Sequence, residues 1–121
     1  MPTEKSLLGK RAEELAAKEL IRQGYEVIET NYRCRYGEID IIAQDRGSIV
    51  FVEVRSRRSD FPVFPAESVN KKKQSKLIIT AKHYLSSKNA SDSDCRFDVV
   101  EVKFERGKPI SVEVIQNAFG E

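Results

Sequence analysis

Asp40 and Glu53 are the residues of this chain whose types and spacing suit them to chemistry. They lie in the stretch from Gly37 to Arg57, where two runs rich in Ile, Val and Phe flank Asp45-Arg46-Gly47. That arrangement is a hairpin signal, because Gly tolerates the backbone conformation a two-residue turn demands. With Arg46-Gly47 as the turn, Asp45 pairs with Ser48. Stepping back along both strands then sets Asp40 across from Glu53 and Glu38 across from Arg55. Like charges directly opposite one another on a sheet are destabilising. The two acids therefore either spread into solvent and pair with neighbouring arginines, or hold something positive between them. A hard divalent cation such as Mg²⁺, which takes oxygen ligands and keeps several waters, suits two carboxylates at that separation.

The elements around the hairpin must position these acids. Side chains alternate faces along a strand, so Ile39, Ile41 and Ala43 share a core face with Val50, Val52 and Val54. The opposite face carries Glu38, Asp40 and Ile42, then Ile49, Phe51, Glu53 and Arg55. Before the hairpin, Leu8, Ala12, Leu15, Ala16 and Leu20 recur at helical spacing and predict a helix over Leu7–Gln23, with Gly24 as its stop. Glu13 falls at the border of that apolar stripe, where a carboxylate either reaches water or points into a polar cleft. Tyr25–Thr30 reads as a short strand near a sheet edge. The connection that follows, residues 31–37, interleaves Tyr32 and Tyr36 with Arg33 and Arg35. Such a mixture can stack on bases and grip phosphates, or simply cover the edge of a sheet.

After the hairpin, Arg55, Arg57 and Arg58 lead into a proline-punctuated loop containing Phe61 and Phe64. Glu67–Lys88 is expected to form a second helix, with Leu77, Ile78, Ala81, Tyr84 and Leu85 as its buried stripe. Lys71, Lys72, Lys73 and Lys76 crowd its opening; such a run is either a solvated face or a local positive field suited to phosphates. His83 falls on the polar side without a visible partner. A polar loop follows, then a strand over Cys95–Phe104, a turn at 105–108 and a closing strand over Ile110–Ile115. The order is helix, three strands, helix, two strands. The second helix is long enough for a right-handed crossover between parallel strands. The expected fold is an α/β domain with a mixed five-stranded sheet and helices packed on it.

Composition sets the outer bounds. A chain of 121 residues with 40% hydrophobic and 33% charged residues is expected to be a single soluble domain spanning residues 1–121. A net charge of +2 is too small to imply nucleic acid by itself, so the placement of the basic residues matters more than their sum. Two distant cysteines and one histidine make a zinc site a poor fit. The absence of a signal-like or membrane-spanning apolar run points to the cytoplasm, no membrane association and reduced thiols.

Several linked motifs carry a resemblance: Glu13 on the first helix, Gly37-Glu38-Ile39-Asp40, then Phe51-Val52-Glu53-Val54-Arg55-Ser56-Arg57, the lysine-led helix and Arg96-Phe97-Asp98-Val99-Val100. Together they resemble the YraN family of bacterial proteins, over Gly9 to about Val100. That family in turn resembles the restriction-endonuclease-like fold and, within it, the archaeal Holliday-junction resolvases. The resemblance implies a metal-dependent nuclease acting on structured or branched DNA, with Mg²⁺ or Mn²⁺ held by Asp40, Glu53 and Glu13. Arg55 stands where those nucleases usually carry Lys, and it would stabilise charge in the transition state. Arg33, Arg35, Arg57, Lys72, Lys73 and Lys76 would hold the nucleic-acid backbone, and a homodimer follows by analogy. Arginine stays protonated and cannot exchange a proton as lysine can. Position 55 therefore also supports a second reading, a nucleic-acid-binding module that kept the fold and lost turnover.

Overall fold

A computed structural model of the protein describes residues 4–59 and 70–120. The elements are α1 (Glu4–Arg22), β1 (Glu26–Cys34), β2 (Gly37–Asp45), β3 (Ser48–Arg58), α2 (Lys71–Ser87), β4 (Cys95–Glu105) and β5 (Lys108–Phe119). The strands form one sheet in the order β1-β2-β3-β4-β5, antiparallel throughout except for the parallel pair β3 and β4. α2 provides the crossover that a parallel pair requires. This is the mixed α/β architecture, in the order αβββαββ, expected from the sequence. The Phe61–Phe64 loop and residues 67–69 of the expected second helix lie outside the described residues.

The two helices cover opposite faces of the sheet. Ala12, Ala16 and Leu20 of α1 pack with Ile41, Ala43, Val50, Val52, Val100, Val102 and Phe104. Leu77, Ala81, Tyr84 and Leu85 of α2 pack with Ile39, Ile42, Phe51 and Phe97. The hairpin therefore buries both faces over its middle, where the sequence had marked one face as core. Burying a side chain such as Phe51 stabilises by about 2–3 kcal/mol. Glu53, two residues on, is only 6% exposed, and Lys73 supplies the charge partner that its burial requires. Strict alternation also fails between Ile39, on the α2 side, and Ile41, on the α1 side. Between the pairs Thr30↔Ile41 and Tyr32↔Ile39 sits Asn31 with φ +55°, so the left-handed residue of β1 faces Asp40.

Local chemistry sets the element ends. α1 stops where Gly24 takes φ +97° and the Tyr25 N–H donates back to the Leu20 carbonyl at 2.9 Å. α2 begins at Lys71, later than the expected Glu67, because Asn70 is extended and its Oδ1 accepts the Lys73 N–H at 2.9 Å. β1 runs on to Cys34, leaving only Arg35-Tyr36 as a turn where a longer connection was expected. Arg46-Gly47 is the turn read from the sequence, with φ +52° and +85°. Arg106-Gly107 makes a second such turn, and β5 extends past the expected Ile115 to Phe119.

At the Asp45 end of the hairpin, a buried polar network joins β2, β4, β5 and Tyr25, which lies between α1 and β1. Arg96 donates to Asp45 Oδ2 at 2.7 Å and to Asp98 Oδ1 at 3.0 Å. Fully buried Asp98 also accepts from the Tyr25 hydroxyl at 2.7 Å and from the Asn117 N–H at 2.9 Å. Every oxygen of that carboxylate is used, as burial of a charge demands.

Candidate active site

The acids gather where the β2–β3 ladder ends. Pairing runs from Asp45↔Ser48 to Ile41↔Val52 and stops. One residue further, Asp40 Oδ2 accepts the Val54 N–H at 2.8 Å. Asp40 and Glu53 therefore do not face each other as a ladder pair, as the register had implied, because the carboxylate takes a backbone donor that would otherwise serve the sheet. Glu38 does not sit across from Arg55 either. Its carboxylate lies 3.5 Å from the Arg33 guanidinium on β1.

Asp40 instead converges with Glu38 of its own strand and Glu13 of α1, one oxygen from each lying within 4.8 Å of the others. Glu53 stands beside this group and takes its charge partner from α2, with Lys73 Nζ 2.6 Å from Glu53 Oε1. Arg55 approaches the same oxygen at 3.9 Å. A cleft of about 420 Å³ opens over Glu13, Asp40, Glu53, Arg55 and Lys73. A second hollow of about 270 Å³ shares Asp40, Glu53 and Lys73 with it and adds Glu38 and Lys76. Gly37 lets β2 start this close to α2: a Cβ there would lie 2.9 Å from the Thr80 hydroxyl.

Negative charge dominates the cleft floor. The Asp40 carboxyl is pushed up to about 7, first by burial and then by the charge of Glu53, while the Val54 N–H pulls the other way. Burial, followed by the charge of Glu38, also holds Glu13 above the ordinary carboxylate range. All the converging donors are carboxylate oxygens, a set that suits a hard divalent cation.

The structure brings Glu13, Asp40, Glu53 and Arg55 together. It sets the basic residues differently from one another. Arg57 lies 3.7 Å from Glu101 on β4 with its side chain 22% exposed, so it is held along the sheet. Arg33, Arg35, Lys72 and Lys76 are exposed, and Lys73 belongs to the floor of the cleft. Glu38 and the Lys73–Glu53 pair were missed from sequence. The signals existed: Glu38 precedes Asp40 by two, the spacing of one strand face, and Lys73 follows the cap residue Asn70 by three, in the first turn of α2. His83 does have a partner, since its Nδ1 lies 2.8 Å from the Tyr32 hydroxyl. Among the described residues no helix is long and apolar enough to cross a membrane.

The protein is thus a mixed α/β domain that gathers carboxylates from a helix and two strands at the rim of its sheet, with an ammonium set beside them by a second helix. The chain belongs to Uncharacterised protein family UPF0102, the YraN family, whose model matches residues 12–102. Among its relatives, the UPF0102 protein of Nitrosomonas europaea is 47% identical over 113 residues, covering 93% of each chain. That of Alkaliphilus metalliredigens is 46% identical, covering 93% of this chain and 96% of its own. Among solved structures, Pyrococcus furiosus SfsA in complex with Ca²⁺ aligns over 93% of this chain and 63% of its own, with a TM-score of 0.43 and 17% identity.

Proposed function

We propose that the protein is a cytoplasmic, metal-dependent nuclease that hydrolyses phosphodiester bonds in structured or branched DNA. The observation that carries this reading is the convergence of the Glu13, Glu38 and Asp40 carboxylates within 4.8 Å, beside a Glu53 that already has its own cationic partner. Glu13, Glu38 and Asp40 would hold Mg²⁺ or Mn²⁺, with Glu53 at their side. A divalent ion bound there supplies a Lewis acid for the phosphoryl oxygens and lowers the pKa of a bound water.

The chain's own groups do the rest. Asp40 is oriented by the Val54 N–H, so the backbone of β3 fixes the carboxylate relative to Glu53. Lys73 offers a compact ammonium beside Glu53, where Arg55 offers a planar guanidinium. Arg55 lines the same cleft and stabilises charge on the reacting phosphate. Exposed Arg33, Arg35, Lys72 and Lys76 hold flanking phosphates without reading sequence. Arg55 is the feature that favours the second reading, a binding module without turnover. Lys73 weighs against it by supplying an ammonium 2.6 Å from the same carboxylate.

The test is a cleavage assay with Mn²⁺ on a panel of four-way, flapped and linear duplex DNA. Wild type should cut a branched member, while Asp40→Ala and Glu53→Ala should not. Salt-dependent binding without cleavage by the wild type would replace the nuclease with the binding module.

A further inference from the structure

A row of rings leads away from the acids between the tip of the β1–β2 hairpin and α2. At the tip of the β1–β2 hairpin, Tyr36 is 39% exposed, and its ring centroid lies 5.6 Å from that of His83. The Arg35 guanidinium sits 4.8 Å from the centre of the Tyr36 ring and donates to its hydroxyl at 2.6 Å. Behind them Tyr32 does the anchoring: it meets Tyr84 edge-on at 5.2 Å and bonds His83. Tyr32 thus ties the hairpin to α2, while Tyr36 and Arg35 stand outside that tie. Among the described residues Arg35 has no carboxylate partner.

We infer that Tyr36, Arg35 and His83 form a stacking platform for an unpaired base, so that the preferred ligand is DNA with a single-stranded segment beside the acid cluster. Lys73, Lys76, Thr80 and His83 follow one face of α2 at helical spacing. His83 is roughly 15 Å along the helix from Lys73, a few nucleotides of extended strand. Tyr36 is joined directly to Gly37, which lines the hollow over Asp40 and Glu53. A strand whose phosphate reaches the acids would therefore pass Lys76 and bring a neighbouring base onto the rings. Bases inside a continuous duplex have both faces covered by their neighbours, so only splayed or single-stranded bases can use such a surface. The inference rests on DNA being the ligand of the acid cluster, but not on cleavage.

The experiment is equilibrium binding in EDTA at several salt concentrations, using single-stranded, blunt duplex and flapped duplex DNA, with 2-aminopurine placed in the single-stranded part. Wild type should bind the flapped and single-stranded DNA at least about tenfold more tightly than blunt duplex and quench the 2-aminopurine, as a stacked base does. Tyr36→Ala should lose about 5- to 100-fold on those two ligands and lose the quenching, with blunt duplex little affected. Tyr36→Phe should behave as wild type, and Arg35→Ala should fall between them. Matching thermal melts would show that each variant is folded. Equal binding by Tyr36→Ala and wild type would overturn the platform and leave the nuclease reading standing. A wild-type preference for blunt duplex would do the same. No binding to any of the three DNAs at low salt would overturn both.

Discussion

Lys73 on α2 and Glu53 on β3 form the shortest ion pair of the cleft, Nζ to Oε1 at 2.6 Å. The pair joins the helix that opens with the lysine run to the strand that carries the buried acid. In the proposed nuclease, α2 would thereby supply the ammonium whose usual strand position is held here by Arg55. Lys73→Met should therefore lower cleavage by about 10²- to 10³-fold, the usual effect of removing one preorganised charge. It should also destabilise the fold by about 1–2 kcal/mol by leaving Glu53 short of a partner. Adding Glu53→Gln to that variant should restore stability, read by urea unfolding, and leave cleavage lost. Arg55→Lys, by contrast, should change the rate only a few-fold.

Asp40 makes stability depend on pH in a defined direction. Its carboxyl is raised from 3.8 to about 7, so the folded state disfavours the charge that the unfolded chain accepts freely. Stability is therefore lost as pH climbs from about 4 to about 7 and is flat above that. Asp40→Asn keeps an acceptor for the Val54 N–H and removes the charge. Its advantage over wild type in urea unfolding should grow by roughly 2 kcal/mol between pH 5 and pH 8, with no further growth above pH 7. A constant difference across that range would contradict the assigned cause.

A cation bound by Glu13, Glu38 and Asp40 would relieve the same repulsion. Saturating Mn²⁺ should raise the melting temperature of wild type at pH 8 by on the order of 5 °C. Glu38→Gln and Asp40→Asn should each abolish most of that shift. The shift should shrink as pH falls below 7, because binding must then displace a proton from Asp40.

Asp98 is the test of the remote network. It is fully buried and ion-paired with Arg96, so Asp98→Ala leaves the guanidinium with Asp45 as its one remaining carboxylate partner and strips the Tyr25 hydroxyl and the Asn117 N–H of their acceptor. The expected loss is about 3–5 kcal/mol, measured by chemical denaturation. Asp98→Asn, which keeps an acceptor of the same shape, should cost clearly less. Neither should alter the DNA preference of whatever fraction remains folded.

Much of this molecule is legible in its sequence, and the parts that are not share a cause. The helix of Ala12, Ala16 and Leu20, the Arg46-Gly47 turn and the parallel crossover follow from periodicity and turn chemistry, which act over neighbouring residues. Asp40 and Glu53 could be brought to one locality because a hairpin register is local arithmetic. That arithmetic failed one step past Ile41↔Val52, where a side chain replaced a strand partner. Two-sided burial of Ile42 and Phe51 depends on where α2 lands, which no local pattern reports. Glu53 meeting Lys73, and Arg96 bridging Asp45 to Asp98, are likewise contacts between distant segments. Types of residue were readable; their partners across the fold were not.

The hydrogen bond from Val54 to Asp40 gives one aspartate two employments. Besides any reaction, it terminates a ladder, so natural variants that abandon turnover would still be under pressure to keep it for folding. Retention of that aspartate in a relative is therefore a poor diagnostic of an active enzyme. Glu13, which belongs to neither core cluster among the described residues, is the residue whose loss would mark relatives without the proposed metal chemistry.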